Sequence, residues 1–172
     1  MTVLHDHPEL LPELLACVPK HCMPDWILGI TGAPRTGKSK LVGCLVAHLR
    51  RRSPDVRVGI VAVDPSSRTS GGAVLGDRIR MMRHAADPNI FIRSLASRGH
   101  LGGLTRGVVA VLPVLRLLGC QYILVETIGV GQSEMDVASV VDHVALVLAP
   151  GQGDSIQLLK SVMMEVADLV VV

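Results

Sequence analysis

Apolar residues along this chain come in short dense runs separated by turn-forming residues. "WILGIT" (26–31) is six residues long and bounded by glycine, so it reads as a strand. "KSKLVGCLVAHLRR" (38–51) changes period. Leu41, Leu45 and Leu49, with Val42 and Val46, repeat at helical spacing and predict an amphipathic helix. "VRVGIVAVD" (56–64) is again a buried strand. A Gly/Ser-rich loop then leads to a basic helix, "LGDRIRMMRHA" (75–85), and to a strand, "NIFIRS" (89–94). "GLTRGVVAVLPVLRLLG" (103–119) is mostly helical, and Pro113 is expected to delay its start or kink it. "CQYILVE" (120–126) and "DHVALVLAP" (142–150) are strands. "DSIQLLKSVMMEVA" (154–167) is a helix with Asp154 as N-cap and Ile156, Leu159, Met163 and Val166 on one face. "DLVVV" (168–172) begins another strand. Strands alternating with helices predict an α/β fold with a mostly parallel sheet between two helical layers. Residues 1–25 carry Pro8, Pro12, Pro19 and Pro24 and read as a broken helix or loose segment ahead of a domain at 26–172.

Composition sharpens this picture. Apolar residues make up 49% and charged ones 19%, which argues against disorder. Aromatics are 2%, so Val, Leu, Ile, Ala and Met must build the core, as suits a sheet buried on both faces. A net charge of +2 is too small to imply nucleic acid or an anionic membrane as partner. The run Arg50-Arg51-Arg52 places cations at a predicted helix C-terminus, where the dipole favours them. No apolar run is long enough to span a bilayer, and the N-terminus lacks a basic n-region, so a soluble, cytoplasmic protein is expected. Cys17, Cys22, Cys44 and Cys120 are irregularly spaced and expected to be reduced. With His5, His7 and His21 they match no standard zinc pattern.

The chemistry concentrates at residues 32–39. Gly32, Gly37, Lys38 and Ser39 satisfy G-x-x-x-x-G-K-[ST], between a strand and a helix as that loop requires. The intervening Ala33, Pro34, Arg35 and Thr36 complete a loop whose backbone N–H groups can curl around a polyphosphate at a helix N-terminus. Lys38 would neutralise the β- and γ-phosphates, and the Ser39 hydroxyl would ligate Mg²⁺. Metal binding also calls for a carboxylate at the end of a neighbouring strand. Asp64 and Glu126 both end strands and are expected to converge on the loop. Each acid taken alone could equally cap a strand-to-loop turn. Gly129, three residues past Glu126, can offer its N–H to a γ-phosphate from a loop that moves when that phosphate leaves.

The strings "VDPSS" (63–67), "GGAVLGDRIRM" (71–81), "FIRSLASRGHLGGL" (91–104), "VETIGVGQSE" (125–134) and "APGQGDSIQLLKSVMMEVAD" (149–168) resemble the methylmalonyl-CoA-mutase-associated GTPases, the MeaB/ArgK family once called lysine/arginine/ornithine transport ATPases. The resemblance runs from about residue 26 to the end. It implies a P-loop NTPase G domain that binds and hydrolyses GTP with Mg²⁺. Its partner would be a cobalamin-dependent acyl-CoA mutase, whose cofactor loading it gates and which it protects. It also implies a homodimer, in the cytoplasm or, in a eukaryote, the mitochondrial matrix. By position, Lys38 and Ser39 match the family's phosphate and magnesium residues. Asp64 and Glu126 match its acids around the metal and the attacking water. Residues 64–76 and 127–134 match its switch segments. "RGHLGG" (98–103) matches too, with no chemistry assigned to it.

The chain departs from the family pattern in two ways. Arg35 stands where the family loop has a glycine, and Lys40 where it has Ser or Thr. Where that backbone position has positive φ, arginine is strained by roughly 1–2 kcal/mol. A flexible cation there can also lie against phosphates. Second, no N-K-x-D stretch, the family's guanine reader, occurs in the 172 residues. The expectation is therefore a C-terminally truncated G domain lacking the family's dimerisation helices. The alternatives are a non-catalytic binding module without guanine selectivity, and a related nickel-metallochaperone GTPase or kinase. Neither a His-rich nor a Cys-x-x-Cys site is present to favour the metallochaperone.

Overall fold

The computed structural model describes residues 12, 13, 16, 24–65, 86–97, 103–127, 135, 137–150 and 164–172, with the side chains of 64, 65, 96, 97 and 103–106 excepted. Within them six strands form one parallel sheet: β1 (Trp26–Thr31), β2 (Val58–Pro65), β3 (Ile90–Ser97), β4 (Tyr122–Glu126), β5 (His143–Val147) and β6 (Leu169–Val171). Two long helices accompany it, α1 (Lys38–Arg52) and α2 (Gly103–Leu117). The order across the sheet is β3-β2-β4-β1-β5-β6. The expected 75–85 helix, Asp154 with nearly all of its predicted helix, and residues 98–102 lie outside the described residues.

Strand periodicity divides the core in two, as a sheet covered on both faces requires. On one face Ile30, Val58, Ile60, Ala62 and Leu124 pack against Val42 and Val46 of α1. Leu41, Leu45 and Leu49 flank that seam and are only partly buried, so the valines, not the leucines, form its centre. On the other face Ile27, Val61, Val63, Ile123 and Val125 meet Val108, Val111, Leu112 and Leu115 of α2. α2 begins ten residues before Pro113 and continues past it, contrary to the expected late start. Pro113 is buried in that helix, where packing against the sheet outweighs the lost backbone bond.

The basic run at 50–52 is the last turn of α1, as expected, but Arg50 does more than sit near a dipole. Its Nε and Nη2 donate to both carboxylate oxygens of Asp87, at 2.7 and 3.1 Å, and its Nη1 donates to the Pro54 and Val56 carbonyls. The helix end is thus tied to the turn that enters β3. Among the described residues no helix is long and apolar enough to cross a membrane.

Candidate phosphate-binding site

The site lies at the carboxyl ends of β1 and β4, the two strands at the middle of the sheet. Their register runs from Trp26 opposite Tyr122 to Ile30 opposite Glu126. It continues one step further, because the Thr127 N–H donates to the Ile30 carbonyl at 3.0 Å. β1 then breaks into the 32–37 loop, and α1 starts at Lys38.

Two glycines permit that break for different reasons. Gly32 has φ +143°, and a Cβ there would overlap the Val147 carbonyl oxygen at the end of β5. Only glycine lets the loop pass β5 so closely. Gly37 has φ +96° and open space around it, so its requirement is conformational alone. Between them Ala33–Thr36 forms a turn. Thr36 donates to the Ala33 carbonyl through both its N–H, at 3.4 Å, and its hydroxyl, at 2.9 Å. Pro34 is the second residue of this turn and Arg35 the third. Arg35 has φ +66°, the one positive value outside glycine among the described residues. The condition for strain at this position is therefore met.

Lys38 is buried, and its Nζ turns back into the loop to donate to the carbonyls of Gly32 and Ala33, both at 2.8 Å. The next residue faces the sheet: the Ser39 hydroxyl donates to Glu126 Oε1 at 2.5 Å. Glu126 is itself buried, at 6% exposure. A cation inside a loop of backbone dipoles, beside a hydroxyl and a carboxylate, can hold an anion and a hard cation side by side. Hydroxyl and carboxylate oxygens are donors suited to Mg²⁺. The residues present therefore fit that ion.

The structure separates the two acids that the sequence pairs. Glu126 reaches the loop. Asp64 is on β2, which pairs with β4 and not with β1. Ala62 is level with Glu126, so Asp64 sits two residues further along, opposite Ala96 of β3. Its side chain, like Gly129 and the segments 66–76 and 128–134, lies outside the described residues.

Two residues escaped the sequence reading. Thr31 and Thr127 close their strands at neighbouring register positions. Both hydroxyls are buried, at 3% and 2% exposure, with no hydrogen-bond partner among the described residues. The available signal was a threonine ending each apolar run, in "WILGIT" and "YILVET".

Comparison with known proteins places the geometry in a lineage. The family model described as methylmalonyl Co-A mutase-associated GTPase MeaB matches residues 3–172. A protein of Pyrococcus abyssi is 49% identical over all 172 residues, which cover 52% of its length. GTPase ArgK of Escherichia coli is 39% identical over 96% of this chain and 50% of its own. The mouse methylmalonic aciduria type A homolog, mitochondrial, is 43% identical over 84% of this chain and 34% of its own. The chain thus spans about half the length, or less, of these relatives. Among solved structures, the signal recognition particle receptor FtsY from Elizabethkingia anophelis superposes with a TM-score of 0.54 at 16% identity. It covers 98% of this chain and 56% of the receptor, a likeness of fold alone.

Proposed function

The chain belongs to the methylmalonyl-CoA mutase-associated GTPase family, and from that premise we propose that its 32–39 loop binds Mg-GTP and promotes loss of the γ-phosphate. The observation that carries this reading is the triplet at the head of α1: Lys38 folded into the loop, with Ser39 held against Glu126 at 2.5 Å. On binding, the Lys38 ammonium exchanges two carbonyl contacts for the β- and γ-phosphate oxygens. The loop N–H groups and the α1 dipole hold the same oxygens. Ser39 and Glu126 would hold Mg²⁺, with Asp64 as a further acid at the site. The ion, when bound, neutralises charge on the β- and γ-oxygens. Catalysis then rests on positioning and electrostatics, supplied by Lys38, the loop backbone and an acid that orients the attacking water. Gly129 would supply a backbone donor to the γ-phosphate.

The domain at 26–172 is, on this reading, the nucleotide-responsive part of a protein that serves a cobalamin-dependent acyl-CoA mutase. It gates cofactor loading and acts as a homodimer, in the cytoplasm or a mitochondrial matrix. The family description, which names a mutase, supports that partner. A second reading keeps the cradle without base selection. It is favoured by one observation, that the described residues brought together at the site, Lys38, Ser39 and Glu126, address phosphate and metal and not a base.

Equilibrium binding of fluorescent GTP, GDP and ATP with Mg²⁺, with Lys38→Ala beside the parent, tests both. The expected result is micromolar GTP and GDP binding, weakened by about 100-fold or more in Lys38→Ala, since a buried charge-assisted contact is worth about 3 kcal/mol. Equal affinity for ATP would replace guanine selectivity with the second reading. Absence of all binding by a folded sample would remove the enzyme reading for this chain.

A further inference from the structure

Arg35 occupies the third position of the Ala33–Thr36 turn, after Pro34, with φ +66°. That turn position favours glycine. A residue held in a sparsely populated conformation points to a function that offsets the strain. Nothing among the described residues does so. The side chain is exposed and makes no hydrogen bond or ion pair among the described residues. The local sequence is also rich in cations. The first turn of α1 holds Lys38 and Lys40, contains no acid and has no side-chain cap. With Arg35, three cations fall within six residues at the positive end of the helix dipole. Like charges so placed repel one another and the dipole. A multivalent anion relieves all of them together.

The cations also divide by position. Lys38 is buried and directed inward onto the loop carbonyls. Arg35 is on the exposed outer turn. We propose that Arg35 is a second cationic ligand for the nucleotide's polyphosphate, closing on its outer phosphates from the solvent side while Lys38 holds them from within. A guanidinium suits this task, because its planar fork takes two phosphate oxygens at once. The backbone strain at residue 35 is then the cost of placing that fork over the cradle. Because the added contact falls on the outer phosphates, it favours triphosphate over diphosphate. This role rests on the reading of the 32–39 loop as a nucleotide site.

Calorimetric titration with Mg-GTP, Mg-GDP and inorganic tripolyphosphate tests it on the parent chain, Arg35→Gly, Arg35→Lys and Lys38→Ala, alongside melting temperatures without ligand. Arg35→Gly is expected to melt higher than the parent, because glycine relaxes the turn. It should nevertheless bind GTP and tripolyphosphate about tenfold more weakly, and GDP with a smaller loss. Arg35→Lys should bind more weakly than the parent and more tightly than Arg35→Gly, since it keeps the charge and loses the planar fork. A merely structural arginine gives the opposite result: Arg35→Gly binds as tightly as the parent or more so, which overturns the proposal and leaves the nucleotide site intact. Arg35→Lys binding no better than Arg35→Gly overturns it as well. Parent protein that ignores all three ligands, or binds them unchanged in Lys38→Ala, overturns the nucleotide reading and this one with it.

Discussion

The two ends of this sheet use the same residue types for opposite purposes. At the amino end, carboxylates are structural. Asp142 accepts from the Ile27 N–H at 2.7 Å and Asp168 from the Val144 N–H at 2.8 Å, so each satisfies a donor near the start of a strand. Gln121 does the same for the Arg57 N–H at 2.9 Å, and Trp26 and Tyr122 pack with ring centres 4.8 Å apart. At the carboxyl end polar groups are buried and kept ready. Lys38 donates to two carbonyls, Thr31 and Thr127 bury hydroxyls without partners among the described residues, and positive φ occurs at Gly32, Arg35 and Gly37, against Gly119 alone ahead of β4 among the described residues. The amino end is built for stability. The carboxyl end holds a more polar arrangement with one non-glycine residue at positive φ, the pattern expected of a functional site.

The strongest way to break this contrast is at Gly32. Gly32→Ala forces a Cβ onto the Val147 carbonyl at a φ that L-residues avoid. A loss of about 3–5 kcal/mol is expected in denaturant unfolding, together with loss of nucleotide binding. An unchanged midpoint would mean that β5 does not constrain the loop. Next is Ile123→Ala, at a fully buried position near the start of β4. It should cost about 3 kcal/mol through the cavity it leaves, yet the folded fraction should keep the parent's nucleotide affinity. A drop in affinity per folded molecule would show that the two ends are coupled.

A third measurement addresses pH. Burial pushes the Cys120 thiol, just before β4, up to about 12 from 9.0, with Arg57 opposing weakly. The folded protein therefore holds this proton more tightly than the unfolded chain. The stabilisation is complete below about pH 9 and is lost as pH rises towards 12. The slope is at most about 1.4 kcal/mol per pH unit. Cys120→Ala should flatten that alkaline limb, whereas an equally steep limb in the variant would assign it to other groups. The smallest effect sharpens the contrast from the other side. Thr31→Val and Thr127→Val each replace a buried, unsatisfied hydroxyl by a methyl of similar shape. Each should raise stability by about 1 kcal/mol, seen as a melting temperature roughly 2–4 °C higher. Destabilisation would mean that those hydroxyls have partners after all.

Much of this contrast was legible in advance. The strand and helix periods placed β1 to β6, α1 and α2. The G-x-x-x-x-G-K-S spacing located the loop between β1 and α1, with Lys38 and Ser39 at the head of that helix. The acids were not equally legible. Glu126, Asp64, Asp142 and Asp168 all stand at strand ends. An acid that precedes a strand lies at the amino end of the sheet, where Asp142 and Asp168 meet N–H groups of the neighbouring strand, and one at the carboxyl end lies on the side where ligands bind in open parallel sheets. That rule separates Asp142 and Asp168 from the other two. It cannot rank Asp64 against Glu126, because both follow strands. The rank depends on the order β2-β4-β1, which makes β4 and not β2 the neighbour of the loop strand. No local pattern encodes that order.

What the sequence determined by itself was therefore local: which segments are strands and helices, which faces are apolar, and where glycines break the chain between β1 and α1. These follow from side-chain period and from the conformations open to glycine. What the tertiary structure alone decided was adjacency. It brought the Val147 carbonyl against Gly32, set the Glu126 carboxylate on Ser39 and moved Asp64 one strand away. Each of these joins residues far apart in the chain. Such contacts arise only when two covered faces of a parallel sheet settle on one strand order and one register.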